Sequence, residues 1–415
     1  MSNSHCPGGS GSAPGVAQRA IVLVLAATLA SSLCPPAYAA KAINDSHGGE
    51  GWAHFFDLIN PYASLEYAYD SNLLRLDDVT PSIDGRSDQY LTLGLGFASD
   101  IRVSQQRFVV NGEFSPRKYH PHDEYDYRGG NFSAVWHWTA SDAWTGTAGY
   151  RYRRSLRDFA NELSPKRLKD ARNENRVLGS ADYDLPGNWK AGVRGDFADI
   201  TFGTTSALDL QRSSGGATLT FVSSASNEVG LDLELIHGDY VNNSAANFDE
   251  YTIGPTLKWK FTVRTQLNAT VGYTHRTNTG GLRPDYSGPS AHIALTIADA
   301  GRGSLTATAW RDISNLSDEI PDYTTTDGVS LEPGWTLSNG MTVRLKGSYE
   351  HRDFRDASGS TARLDDVGAL SGFLDWPLGR HCKLSAGVTT ERRSSTRLYQ
   401  DYEYLLQQIQ IVGML

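Results

Sequence analysis

The sequence predicts an all-β fold, a transmembrane antiparallel up-and-down β-barrel of about eighteen strands, and three observations carry that prediction. Apolar residues recur at every second position in segment after segment. The connections between those segments alternate between short and long. Beyond residue 40, no run approaches the roughly 20 apolar residues that a spanning helix needs, yet the chain of 415 residues is rich in Gly (41), Tyr (20) and Trp (9) with only 39% hydrophobic residues. A barrel needs no long apolar run, because every second side chain of each strand faces water.

The period of two is plainest between Val329 and Phe354. Met341, Val343, Leu345, Gly347 and Tyr349 alternate with Thr342, Arg344, Lys346, Ser348 and Glu350, and only extended backbone throws successive side chains to opposite faces. Ser338-Asn339-Gly340 just before them reads as a tight turn, since Asn-Gly tolerates positive φ. One face is oily and the other carries both signs of charge. A soluble sandwich would bury the oily face against a second sheet; a membrane barrel turns it to lipid.

Taken in order, the chain begins with a targeting segment. Arg19 precedes an apolar run from Ala20 to Ala30, and Ala37-Tyr38-Ala39 supplies a small-residue cleavage pattern, so residues 1–39 read as a signal peptide removed after Ala39. Leu33 stands before Cys34, where lipoprotein processing needs a small residue. Cys6 and Cys34 leave with the signal, and Cys382 has no disulfide partner in the chain. Residues 40–60, polar and Gly-rich with His54-Phe55-Phe56, form a periplasmic lead-in, and 61–415 form the barrel of a Gram-negative outer membrane.

Strands are expected at Tyr62–Leu73, Asp88–Ser99, Ser104–Pro116, Tyr125–Thr139, Ala143–Leu156, Glu174–Asp184, Trp189–Thr201 and Asp209–Phe221. The second half continues at Glu228–Tyr240, Phe248–Phe261, Thr265–Thr277, Tyr286–Ala298, Gly303–Ser314, Tyr323–Leu337, Met341–Phe354, Asp365–Pro377, Cys382–Arg393 and Tyr399–Leu415. Each comes close to the roughly 9–11 residues of a tilted spanning strand. Short links such as Thr139–Ala143, Asp184–Trp189 and Leu337–Met341 alternate with longer polar ones, such as Leu73–Asp88 and Leu156–Glu174. Short periplasmic turns and longer external loops produce that alternation. Trp136, Trp138, Trp144, Trp189, Trp259, Trp335 and Trp376 fall near the short links, where an aromatic girdle belongs.

The charged faces supply the candidate lumen residues: Arg151, Arg153, Lys190, Arg194, Asp196, Asp232, Glu234, Arg344, Lys346, Glu350, Lys383 and Glu391. Asp232 and Glu234, two apart on one strand, line a wet lumen more simply than they form a catalytic pair. His120-Pro121-His122-Asp123-Glu124 has metal-like chemistry, but no further His or Cys stands at ligand spacing, so no metal is expected. The segment Arg151–Arg176, with Arg153, Arg154, Arg157, Lys166, Arg167, Lys169, Arg172 and Arg176, reads either as a constriction or external patch that attracts an acidic glycan or as a solvated loop touching lipopolysaccharide phosphates. No nucleophile elbow, phosphate-cradling loop or cofactor motif is present, so neither an enzyme nor a cofactor is expected. A net charge of −9 without a dominant basic segment argues against nucleic acid.

The stretch Pro61–Asp78 holds Tyr62-x-Ser64 and then Tyr69-Asp70-Ser71-Asn72-Leu73-Leu74-Arg75-Leu76. With Ser104-Gln105-Gln106-Arg107-Phe108, Tyr125-Asp126-Tyr127, Tyr286-Ser287-Gly288-Pro289 and Gly328–Trp335, it resembles the EpsL family, outer-membrane proteins of exopolysaccharide biosynthesis operons. Tyr69, Asp70, Asn72, Leu73 and Arg75 carry the opening motif. The resemblance implies a conduit for an exported polysaccharide, working with periplasmic export components amid outer-membrane lipid and lipopolysaccharide. The alternative is a general diffusion porin for small hydrophilic solutes. The chain departs from the usual barrel pattern at its end, Ile409–Leu415, where an aromatic residue is customary.

Overall fold

The computed structural model describes residues 41–42, 59–79, 85–162, 167–279, 285–299, 301–314, 323–355 and 361–414. The expected signal peptide and most of the lead-in lie outside the described residues. A short strand β1 (Lys41–Ala42) precedes β2 (Pro61–Asp70), β3 (Asp88–Val103), β4 (Gln106–His120), β5 (Tyr127–Thr139), β6 (Trp144–Leu156), β7 (Ala171–Leu185), β8 (Trp189–Phe202), β9 (Leu210–Val222) and β10 (Glu228–Tyr240). There follow β11 (Phe248–Lys260), β12 (Thr265–Asn278), β13 (Tyr286–Ala298), β14 (Gly303–Ser314), β15 (Tyr323–Thr336), β16 (Thr342–Arg355), β17 (Thr361–Pro377), β18 (Cys382–Ser395) and β19 (Tyr402–Met414).

Strands β2 to β19 are eighteen in number, each antiparallel to the next, and the sheet closes where β19 pairs with β2, from Leu406 opposite Asp70 to Met414 opposite Tyr62. Closure leaves no unpaired edge in the hydrocarbon. Near the end of β19, Met414 N–H also donates to the His381 carbonyl at 2.7 Å. Both ends of the barrel lie on the side of the eight short turns, and the other nine connections belong to the opposite end.

The turns obey local chemistry. Gly340 has φ +81°, Gly187 +78° and Gly379 +78°, while Asn188, Ser226 and Ser104 take positive φ without being glycine. At 338–340 the Leu337 N–H donates to the Met341 carbonyl at 2.7 Å, and Asn339 accepts the Met341 N–H. Ser104-Gln105 is a two-residue turn, so β3 runs on to Val103, four residues past its expected end. Its free edge there, beyond the Pro61–Phe97 pair, takes up β1 in parallel at Ile101 and Arg102.

The two faces separate as the alternation requires. Leu91, Leu93, Leu95, Val193, Leu231, Leu235, Val329, Leu331, Leu345 and Tyr349 are all exposed on the outer wall. In water so large a contiguous apolar surface would drive aggregation; in a bilayer it is the lipid-facing belt. Trp136, Trp144, Trp189, Trp259, Trp335 and Trp376, 40–45% exposed, ring its turn-side rim, and Trp138 is partly covered beside them. A closed barrel with this belt is an outer-membrane protein.

One expected element ends early. The first barrel strand stops at Asp70 instead of Leu73, because the chain there turns into the barrel.

Candidate functional site: the lumen and its inner loops

All twelve lumen candidates lie on the face opposite the lipid-facing side chains. Arg151 and Arg153 alternate with the outward Tyr150 and Tyr152, Lys190, Arg194 and Asp196 with Trp189, Val193 and Phe197, and Asp232 and Glu234 with Leu231 and Leu235. Arg344, Lys346 and Glu350 alternate with Leu345 and Tyr349, and Lys383 and Glu391 sit on the inward face of β18.

Most of these charges meet an opposite one. Arg176 grips Asp196 through Nε and Nη2 at 3.0 and 2.8 Å, and Asp196 also accepts from Ser214 at 2.6 Å. Arg194 grips Asp232 in the same two-pronged way at 2.6 and 3.0 Å, with Glu234 at 3.9 Å. Arg344 and Lys383 both reach Asp375, Lys190 reaches Asp184, and Arg352 pairs with Glu350. Glu391 accepts from Tyr402 at 2.7 Å. Forked Arg–carboxylate pairs are directional and strong. They hold the wall charges flat against the barrel, so the lumen presents alternating polarity instead of a field of one sign.

The mouth on the loop side is where sequence reasoning fell short. Residues 71–78 after β2 and the described part of the loop between β6 and β7 fold inward. Leu73, Leu74, Leu76, Phe159 and Ala160 are buried against Tyr90, Tyr119, Tyr125, Tyr402, Tyr404 and Leu406. The Tyr125 and Phe159 rings meet edge to face at 4.9 Å. Two arginines fasten this plug by its backbone. Arg167 donates from Nε to the Leu74 carbonyl at 2.8 Å, from Nη2 to that of Arg75 at 3.1 Å, and from Nη1 to that of Glu162. Arg393 donates from Nε to the Gln400 carbonyl at 2.7 Å and from Nη1 to that of Ala160. Burial pushes the Arg167 pKa down and the Tyr125 phenol up to about 12.

The basic segment is therefore neither a solvated loop nor an external patch in its buried members. Arg157 faces Glu162 at 3.6 Å and Asp170 at 3.9 Å, all nearly inaccessible. A buried cation must be compensated or it costs several kcal/mol, and these pairs compensate it. Arg154 instead lies on the outward face of β6, and Lys166 lies outside the described residues.

The opening motif is the hinge of the plug. Tyr69 points outward, whereas Asp70 points in and accepts from the Asn72 N–H at 2.9 Å and from Arg75. The Asn72 amide donates to the carbonyls of Leu76 and Glu403, and its oxygen accepts the Leu76 N–H at 3.0 Å. Arg75, at φ +52°, lays its guanidinium 3.5 Å from the Tyr404 ring centre. Burial, the largest influence, disfavours its charge, but Asp70, Tyr404 and Asp158 together outweigh burial and raise its pKa. Leu73 buries its side chain in the plug.

His122 is a corner brace. Its Nδ1 lies 2.8 Å from Asp88, whose carboxylate also accepts the His120 and His122 N–H groups. Among the described residues no three His, Cys, Asp or Glu side chains converge as metal ligands.

Inward side chains are buried on both sides of the lumen. On β2, β3 and β17–β19, Ser64, Glu66, Thr92, Ser371, Ser385, Thr389 and Gln408 are buried, and on β10–β12 so are Tyr240, Phe248, Thr274 and Arg276, whose guanidinium lies 3.5 Å from the Phe248 ring centre. Water reaches the inward Arg151, Arg153 and Lys346, all exposed, on β6 and β16.

No protein-family model matches the chain, and no curated protein matches it, so the EpsL resemblance rests on the quoted residues alone. Several solved structures are similar to it. The outer membrane protein OpdK of Pseudomonas aeruginosa covers 86% of this chain and 100% of its own at 9% identity, with a TM-score of 0.46. OccAB3 of Acinetobacter baumannii covers 86% and 99% at 9% identity, TM-score 0.48. A BenF-like porin of Pseudomonas fluorescens Pf-5 covers 86% and 99% at 9% identity, TM-score 0.49. The closed ladder, outward apolar belt and charged interior establish this chain as an eighteen-stranded barrel of the outer membrane.

Proposed function

We propose that the barrel is a channel, not an enzyme, and that it admits small hydrophilic solutes through its charged lumen. An eighteen-strand barrel is wide enough for an aqueous passage. The observation that carries the choice of small solutes over a polymer is the inward fold of the two loops. Their apolar core and arginine clasps narrow the entrance, whereas a sliding polymer needs an unobstructed track. The interleaved, mutually paired wall charges replace water around neutral or zwitterionic solutes without holding any one tightly.

Planar-bilayer recording tests the reading, paired with liposome swelling in sugars of increasing size. Steady conductance and a sharp size limit at small oligosaccharides are expected; a barrel that passes no current overturns it. The polysaccharide conduit, which the Pro61–Asp78 resemblance supports, is the second reading. Loss of surface polysaccharide in a deletion strain would favour it, and undiminished polysaccharide would rule it out.

A further inference from the structure

A hollow of about 720 Å3 lies on the outside of the barrel, at the loop-side end of β9 to β12. It arises from a step in side-chain size. On the outward face of β9 stand Ser213, Gly215 and Ala217, and Gly215 pairs directly with Gly195 of β8, on the same face. A Cβ at Gly215 would meet nothing within 4 Å. Next door, β10 raises Leu235, 53% exposed, and β11 raises Tyr251, 43% exposed.

The register arranges the hollow in two rows. Gly215, Leu235, Tyr251 and His275 pair in sequence along the lower row; Ser213, His237, Asp249 and Thr277 pair along the upper. The lower row is mostly apolar, with the Tyr251 and His275 rings 5.2 Å apart. The upper row is polar: His237 Nδ1 lies 2.7 Å from Asp249, and Thr277 lies 3.2 Å from His275 Nε2.

Height decides what each row faces. Asp249 is ten residues along β11 from Trp259 of the turn-side girdle. At a rise of about 3.4 Å per residue and a tilt near 40° that is roughly 26 Å along the barrel axis, against an apolar band about 25 Å tall. The upper row therefore meets the outer interface, and the lower row sits about 5 Å deeper, in hydrocarbon. No Lys or Arg lines the hollow, so it lacks the chemistry that grips phosphate. A carboxylate, two imidazoles, two hydroxyls and an aromatic ring suit sugar hydroxyls.

We propose that this hollow binds a glycolipid of the outer leaflet, one acyl chain along Gly215 and Leu235 and the sugar against His237, Asp249 and Thr277. The test uses the full-length barrel reconstituted with glucosyl diacylglycerol or with phosphatidylglycerol of the same acyl chains, then native mass spectrometry of the retained lipid. Wild type should retain the glucosyl lipid about tenfold over phosphatidylglycerol, a discrimination of about 1.4 kcal/mol. Gly215→Trp fills the hollow from the lipid side and Asp249→Ala removes a hydroxyl acceptor. Each should lower retention about tenfold while heat-modifiable migration and channel conductance stay as in wild type. Equal retention of both lipids, or undiminished retention by Gly215→Trp, overturns the proposal. So does a change of oligomeric state with Gly215→Trp in sedimentation, which would make the hollow a contact between copies of the chain.

Discussion

Removal of the Arg167 side chain isolates the plug from the barrel that contains it. The guanidinium satisfies the carbonyls of Leu74, Arg75 and Glu162 at once, and those belong to both inward loops. Each buried carbonyl left without a donor costs about 1–3 kcal/mol. Water that follows the truncation into the mouth recovers part of that, so about 3 kcal/mol in total is a fair figure, equivalent to roughly a 150-fold shift from docked to undocked loops. The ladder of eighteen strands does not involve Arg167, so heat-modifiable migration should be unchanged. Single-channel recording should show Arg167→Ala with larger and noisier steps than wild type. Arg167→Lys, which keeps the charge but cannot span three carbonyls, should fall between. A folded Arg167→Ala barrel with wild-type conductance and noise would refute the idea that these loops narrow the passage.

Other sites yield sharper single outcomes. Arg194→Ala leaves Asp232 and Glu234 facing the lumen uncompensated, so reversal potentials should shift toward cation selectivity in 0.1 M salt and much less in 1 M, where screening shortens to about 3 Å. Gly254→Ala places a Cβ 1.9 Å from the Val271 carbonyl and should destabilise the barrel by about 1–3 kcal/mol, read as a lower unfolding midpoint in urea. At Asp126 burial opposes ionisation, but the Lys118 ammonium and the Tyr119 N–H outweigh it and hold the carboxyl below its ordinary range. Its folded pKa is depressed, so its contribution is present above the ordinary value and lost as pH falls through the folded one. The protection of the Tyr119 amide against hydrogen exchange, relative to the free amide, should fall once pH drops below the ordinary carboxylate range, and Asp126→Asn should flatten that dependence.

The architecture was legible because period-two patterning acts locally and a one-residue slip would expose every charge to lipid. That is why Arg151, Arg194, Asp232 and Lys346 were placed on one face from spacing alone. Their partners were not legible, because Arg194 and Asp232 are separated by a whole hairpin, and only the register of β8 to β10 brings them together. The inward loops carry a signal that resembles a strand. Leu73-Leu74-Arg75-Leu76 is apolar enough to continue a strand, and so spacing alone runs the first strand three residues too long. An apolar run that breaks the alternation, followed by residues too polar for lipid, marks a segment leaving the wall for the interior. Arg157 and Arg167 gave no such warning: a basic loop looks the same whether it faces solvent or clasps buried carbonyls.

The narrowing of the lumen follows from the same residues. A barrel of this width cannot be filled by wall side chains alone, so whatever fills it must come from loops, and loops carry backbone groups that need partners. Arg167 and Arg393 supply donors to carbonyls of the inward loops and of the β18–β19 link, the Asn72 amide closes its own turn, and Asp70 takes the N–H that begins it. The motif that resembles the EpsL family is thus spent on building the plug, with Tyr69 alone facing outward. A chain that keeps Asp70, Asn72 and Arg75 keeps the means to narrow its entrance, whatever passes through. Asn72→Ala is therefore expected to act as Arg167→Ala does, raising conductance without loosening the strand ladder. If instead it unfolds the barrel, the motif serves assembly of the β2–β19 seam and the narrowing is incidental to it.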